Sequence, residues 1–507
     1  MNPTGFLRLL HAEWTKFRTM RGWVLGMAAA ALATVVVGLL GTAAPGPSGE
    51  RADTSFPRGP GGEAVNDSFY FVHRTLTGDG SITVPVRALT SALEGGPEAA
   101  AGVPPWAKAG IIVKESLTQG SSYAAVMATG AHGVRMQYDF TGDVAASAPG
   151  LPGSGSGPSS GWLRLVRAGS TLTGYASADG SRWSLVGTAR LTGLPATVQA
   201  GLFAATPQAM EKTSVGAGFS PAVVTGTFGP AELQGNWSGG AWAGEQVGGS
   251  AGTSGSYTNT TKGGFTQSGA GFTVTGAGDI APVVGGPVMG PGYTLENFLV
   301  GAFAGLIVVI AVGTVFVTAE YRRGMMRTTL AAHPGRGQVL VAKAAVAASV
   351  AFAVGLVAAA VAIPLGEQGA EGRGFSVFPV STATELRIVV GTALLFAVTA
   401  VLALCVGALL RRSATAVALV VASIVLPYVL ASAGVLPAGA SEWLLRVTPA
   451  AGFAVQQTLP RYAQVLSVYE PSTGYHPLPP WAGFAVLCGY AAVAFALAVV
   501  RLRRRDA

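Results

Sequence analysis

Residues 298–327 read FLVGAFAGLIVVIAVGTVFVTAEYRRGMMR. From Phe298 to Thr318 no side chain carries a charge, and the run is long enough for a helix to cross a hydrocarbon core, which takes about 20 residues. It stops on Glu320, Tyr321, Arg322 and Arg323. Lipid tolerates only backbone whose polar groups are paired internally, so an apolar run of this length with a charged collar reads as a transmembrane helix.

Five more stretches have the same character: Gly22–Ala43, Val339–Leu365, Leu386–Leu410, Ala414–Val435 and Trp481–Val500. Lys343 and Arg387 fall near span ends, where their stems are expected to snorkel to the interface. Half of the 507 residues are hydrophobic and only 11% are charged, against about a quarter in soluble domains. The deficit lies in these runs, while residues 45–295 are ordinary soluble sequence rich in Gly, Ser and Thr. The expected architecture is a six-helix transmembrane bundle with a β-rich region between its first two spans.

The placement of positive charge predicts orientation. Arg8, Lys16, Arg18 and Arg21 precede the first span; Arg322, Arg323, Arg327 and Arg336 separate the second and third; Arg411 and Arg412 separate the fourth and fifth; Arg501, Arg503, Arg504 and Arg505 follow the sixth. The alternate loops, 366–385 and 436–480, are balanced or slightly acidic. All basic clusters thus fall on one side, which makes both termini cytoplasmic and residues 44–297 external. The first run is expected to be an uncleaved anchor, since its leader and apolar core are long for a signal peptide. The net charge of +8 is explained by these collars and forms no basic stripe, so a nucleic-acid partner is not expected. Cys405 and Cys488 both lie within apolar runs, which leaves the outer region without a disulfide, and the five histidines are too scattered for a metal centre.

The outer region divides at the sequence level into 62–220 and a Gly-rich extension, 221–297. Within the first, WLRLVRAGSTLTGYASADGSRWSLVGT (Trp162–Thr188) alternates apolar and polar residues and is broken at Ala168-Gly169 and Asp179-Gly180. These breaks predict three strands joined by tight turns, Asp-Gly supplying the positive φ that such a turn needs. Leu163 and Leu165 would face a core, and Arg164 and Arg167 water. Residues 141–161 and 229–270 read as Gly/Ser-rich loops or linkers. Gly271–Val284 echoes Thr75–Val86 and fits either an added strand or part of a second sandwich unit.

The Trp162–Thr188 hairpins, together with WAKAGIIVK (Trp106–Lys114), Ser122–Gly130 and GLFAA (Gly201–Ala205), resemble the concanavalin A-like, jelly-roll β-sandwich domains of the DUF1349 type. That fold serves lectins, glycanases and purely structural modules alike. A glycosidase needs two carboxylates facing across a cleft, but Asp79 and Asp179 are each followed by Gly and read as turn residues. Glycan binding through Trp106, Tyr123, Trp162 or Trp183 is the functional reading of the aromatics; core packing is the structural one.

At the other end, Phe6, Leu9, Leu10, Trp14 and Phe17 fall on one face of a helix within residues 1–21, with Arg8, Lys16 and Arg18 around the rest. This predicts an interfacial amphipathic helix, in which Glu13 can pair with Lys16. LHAEWTKFRTMRGW (Leu10–Trp23), and above all AEYRRGMMRTTLAAHPGRGQVLVAKA (Ala319–Ala344), resemble ABC-2 type transporter permeases. In that family the loop between these spans carries a coupling helix that docks on an ATP-binding subunit. The resemblance assigns coupling to Glu320, Tyr321, Arg322, Arg323, Gly324, Arg327, Pro334 and Arg336 in the 319–337 loop, with Glu13, Trp14 and Lys16 on the interfacial helix. Positive-inside bias alone would account for the arginines but not for Glu320, Gly324 or Pro334.

The chain has no G-x-x-x-x-G-K-[ST] phosphate loop, so the resemblance implies that ATP is bound by a separate subunit, and that the chain is neither an enzyme nor a holder of its own cofactor. It further implies an exporter built from two membrane subunits; the composition, like that of a high-GC bacterium, adds a bacterial plasma membrane with lipid around it, and the outer aromatics add a glycan as a candidate ligand. The alternative is a membrane-anchored carbohydrate-binding or sensory protein whose helices are only a scaffold.

Overall fold

The computed structural model describes residues 3–40, 56–93, 103–147, 161–213, 216–248, 263–284, 292–322, 324–325, 335–373, 375–432, 436–465, 469 and 471–504. Among the described residues eight helices organise the apolar part: α1 (Pro3–Thr19), α2 (Arg21–Leu40), α3 (Ala302–Arg322), α4 (Arg336–Glu371), α5 (Thr382–Leu410), α6 (Ser413–Ser432), α7 (Ala438–Val447) and α8 (Pro480–Arg504). Among the described residues six of them, α2 to α6 and α8, are long and apolar enough to cross a membrane. The helices outrun the apolar stretches because polar and charged residues at their ends, such as Arg336 and Glu371, continue the helical ladder past the hydrocarbon boundary.

Helix α5 is the centre of the bundle. It packs against α3, α4, α6 and α8, and Ile388, Phe396, Ala400 and Leu404 are buried along its length. Helices α2 and α3, although separated by more than half of the chain, approach until backbone meets backbone. A methyl group on Gly301 would strike the Thr34 carbonyl, one on Gly305 the Thr34 hydroxyl, and one on Gly38 the Phe298 carbonyl. The Gly301-x-x-x-Gly305 pair is therefore a contact within one chain, the role small residues play where helices cross closely.

The short amphipathic α7 leaves Trp443 exposed, and the 3₁₀ segment that follows it, Pro449–Gln456, is buried against α5 and α8.

The region between α2 and α3 is one antiparallel β-domain. Its spine is the strand Phe69–Leu93, which pairs with Thr197–Ala205, Gly161–Ala168, Ala222–Phe228 and Glu232–Val247. One strand can serve both layers of a sandwich because it turns at Gly78, held at φ +74 with its N–H donated to the Ala196 carbonyl. Three tight strands, Gly161–Ala168, Thr171–Ser177 and Ser184–Arg190, follow the hairpin reading, with Gly169 and Gly180 both at positive φ. Val72, Ile82, Val84, Ile111, Val126, Leu163, Leu165 and Leu172 fill the space between layers.

Three expectations need correction. Arg167 does not face water. It shares the parity of Leu163 and Leu165, is buried, and donates to the carbonyls of Gly169, Pro195 and Ala196. Residues 229–270 are not simply linker, since Glu232–Val247 and Gly264–Ser268 are strands; Gly235 and Gly239 mark breaks in the ladder while Trp237 and Trp242 pack on the core. Nor is residue 220 a domain boundary: the strands at 222–228, 232–247, 264–268 and 271–276 belong to the same 13-stranded sheet.

Strand Lys108–Lys114 is buried on both faces. Ile111 and Val113 enter the main core, while Ile112 joins Phe69, Phe71, Tyr123, Phe203 and Ile280 in a second one. A two-stranded ribbon, Val65–Asp67 with Ile280–Pro282, contributes Val65 and Ile280 to that second core, where the chain enters and leaves the domain. Two buried ion pairs fasten the ribbon at both ends of the strand: Lys114 to Asp67 at 2.7 Å and Lys108 to Asp279 at 2.6 Å. Burial raises the Asp67 pKa and the Lys114 charge opposes the rise. The domain is seated on the bundle by Gln464 donating to the Phe140 carbonyl at 3.1 Å, by Phe56 stacked on Phe378, and by parallel pairing of Gly292–Tyr293 with Ser376–Val377.

Removing one member of a buried pair strands the other charge, at a cost of about 3–5 kcal/mol. Lys114→Met should therefore lower the thermal unfolding midpoint of the purified protein markedly, and Lys114→Met with Asp67→Asn should recover part of the loss. Equal destabilisation by the single and double variants would show that the pair is not what holds the ribbon.

Candidate functional site

Helix α1 is amphipathic, but its buried stripe is Leu9, Glu13 and Phe17, one residue per turn. Leu9 packs on Val339 and Ala342 of α4. Phe17 meets Phe316 of α3 edge-on, with ring centroids 5.5 Å apart. Trp14, expected on this face, is 42% exposed instead. The carboxylate of Glu13 is thus carried into an apolar contact, where it requires an opposite charge.

Lys343 supplies it. Its Nζ lies 2.7 Å from Glu13 Oε2 and 2.7 Å from Glu320 Oε1, and all three side chains are buried. The Phe316 ring lies 4.7 Å from the same ammonium, close enough for cation–π attraction. Lys16 closes the group from the rim, 2.8 Å from Glu13 and 3.3 Å from Glu320. Burial works against the Lys16 charge, but hydrogen bonding to Glu13 and the charges of Glu320 and Glu13 outweigh it, and its pKa is raised. Lys16 accordingly stays protonated at neutral pH. Two acids and two bases balance, and they join α1, α3 and α4 at one point.

Lys343 therefore does not snorkel. It opens α4 at the level where Glu320 closes α3, so both side chains turn inward onto Glu13. Arg387, at the other end of the bundle, is half-buried and donates to the Gln457 carbonyl.

The remaining residues of the 319–337 loop separate into groups. Tyr321 is half-buried with the Arg411 guanidinium 4.8 Å over its ring. Arg411 caps α5 in the left-handed region, φ +57, and donates its N–H to the Gly407 carbonyl. Arg322 is exposed, and Gly324 takes a turn conformation at φ +68. Arg336 begins α4. Arg323, Arg327 and Pro334 lie outside the described residues. Sequence reading thus found Glu13, Lys16 and Glu320 and named Lys343, but as a snorkelling lysine rather than as their common partner.

The four candidate aromatics of the β-domain form no open platform. Trp106 is 2% exposed, stacked on His132 at 4.0 Å with Arg135 over it, and Tyr123 is 1% exposed against Phe140. Both are core residues, which corrects the glycan-binding expectation for them. Trp162 and Trp183 are half-buried; Gly180 packs on the first ring and the Arg164 guanidinium lies 4.0 Å over the second. Among the described residues no group of His, Cys, Asp and Glu is arranged to hold a metal ion.

The family model of the ABC-2 family transporter proteins matches residues 196–507. The chain belongs to that family. The match begins inside the β-domain and continues through the ABC-2 membrane region, so the chain is a multi-pass membrane component of the transport type. No curated protein is matched. A solved structure of a functionally unknown protein from Saccharomyces cerevisiae shares 17% identity over 36% of this chain and 83% of its own; at a TM-score of 0.22 the likeness carries no structural argument.

If Lys343 holds Glu13 and Glu320 in place, Lys343→Met should cost about 3–5 kcal/mol, because Lys16 at the rim is left as the one cation for two buried carboxylates. The triple change Lys343→Met, Glu13→Gln and Glu320→Gln should recover most of that in thermal unfolding of detergent-purified protein. A triple variant no more stable than the single one would remove the charge network from the account.

Proposed function

We propose that this chain is the membrane subunit of an ABC-type exporter, working as a pair of such subunits with a separate ATP-binding protein docked on the 319–337 loop. The observation that supports it most is the Glu13–Lys343–Glu320 junction. Force applied to the loop enters the bundle through the end of α3 and the start of α4, the two places gripped by Lys343, and α1 is gripped with them. Three elements held by a short ionic contact move together, so displacement of a docked protein becomes tilting of α3 and α4 rather than local bending.

In this reading Glu320 is a positioning residue, buried away from any docking partner, while exposed Arg322 and the loop beyond it make the contact. The basic end faces the cytoplasm, in keeping with the positive-inside rule, and the β-domain stands outside a bacterial plasma membrane. That domain, of concanavalin A-like type in this proposal, acts as a rigid cap seated on the external loops. Glycan binding is not favoured, because two of the four aromatics are core and the other two are partly covered.

The test uses the complex purified through this subunit. A nucleotide-binding protein should co-purify with the wild type and be lost on Arg322→Glu. Glu320→Gln should keep the partner bound but lower the nucleotide hydrolysis that depends on this subunit by about tenfold, equivalent to about 1.4 kcal/mol of coupling. Absence of any ATP-binding partner from the wild-type preparation would instead favour a scaffold or sensory role.

A further inference from the structure

We propose that the basic end of the bundle holds a phosphate-binding crevice formed by Tyr321, Arg411 and Arg501. The three residues come from different elements: the last turn of α3, the cap of α5 and the last turns of α8. The Tyr321 hydroxyl, Arg411 Nε and Arg501 Nε are all shielded from solvent, and none has a hydrogen-bond partner among the described residues. Each can donate. Arg411 lies over the Tyr321 ring, and the charges of Arg411, Glu320 and Arg501 all act on the Tyr321 hydroxyl, which places the three donors in one neighbourhood with one acid.

Among the described residues the acid beside them is Glu320, next to Tyr321 in sequence, which gives its Oε1 to Lys343 and Lys16 while its Oε2 has no hydrogen-bond partner. Among the described residues Arg411 and Arg501 enter no ion pair, and neither do their neighbours Arg412, Arg503 and Arg504. Sheltered donors without acceptors are costly unless a ligand supplies the acceptor. Two guanidinium groups and a phenol suit a tetrahedral oxyanion with several acceptor oxygens, and guanidinium pairs with phosphate through two parallel bonds. The crevice lies at helix ends beside the apolar bundle, the depth at which phospholipid head groups lie. A phosphate ester is therefore the ligand class, from an anionic lipid or from a soluble phosphate. This inference does not depend on an ATP-binding partner. Its consequence is that the ligand would tie α3, α5 and α8 together one residue away from the ionic junction.

The full-length protein in mild detergent would be titrated with short-chain phosphatidylglycerol, short-chain phosphatidylcholine and inorganic phosphate, and binding read by native mass spectrometry and thermal shift. Wild type should bind phosphatidylglycerol or phosphate, and Arg411→Gln with Arg501→Gln should weaken that by at least about tenfold. Arg411→Lys with Arg501→Lys keeps the charge but removes the Nε donors, and should lose binding too while remaining folded. The exposed Arg504→Gln should shift it less than about twofold. Preference for phosphatidylglycerol over phosphate identifies lipid as the source, and the reverse identifies a soluble ester. Failure of the wild type to bind either, or equal loss in Arg504→Gln and the crevice variants, would overturn the proposal. So would full retention of binding by the lysine variant, since general basicity would then explain it.

Discussion

The ammonium of Lys343 sits between two carboxylates in an apolar contact, and the basic end of the bundle is organised around it. An isolated charge there would be untenable, and so would either acid alone. Glu13 must face α4, Glu320 must end α3 on that side, and α4 must begin with its fourth turn still to come when Lys343 arrives. Together these requirements fix the rotation of three helices about their axes. Apolar packing of Leu9 on Val339 and of Phe17 on Phe316 adds adhesion but little angular preference, which charge pairing supplies.

The β-domain repeats the device with different parts. Lys108 and Lys114 occupy the two ends of a strand buried on both faces, and each takes an aspartate from the ribbon where the chain enters and leaves. Buried lysines thus fix both the register of the domain on its stalks and the register of the helices at the opposite end. Between them lie contacts that tolerate no added atoms, such as Gly301 and Gly305 against Thr34.

Much of this was legible in the residues. Apolar run length marked the membrane helices, because hydrocarbon imposes a length and forbids charge. The Asp179-Gly180 and Ala168-Gly169 turns marked the hairpins through their demand for positive φ. What remained hidden depended on partners far away in sequence. Lys343 looked like a snorkelling lysine because its position in the helix does not reveal Glu13, 330 residues earlier. Arg167 was misread by a slip of parity, and the strand Glu232–Val247 was masked by glycines that mark breaks in its ladder. Trp14 was placed on the buried face by hydrophobicity alone, whereas the stripe that α4 accepts includes the acid one position before it.

The most direct test is amide hydrogen exchange of the full-length protein, wild type against Lys343→Met, followed across residues 3–19, 302–322 and 108–114. The ionic-junction account predicts that exchange in α1 and in the last turns of α3 quickens together by an order of magnitude or more, while the β-strand at 108–114 keeps its protection. Unchanged exchange in α1 would mean that apolar packing alone holds it, and the claim that Lys343 binds three helices into one moving unit would be wrong.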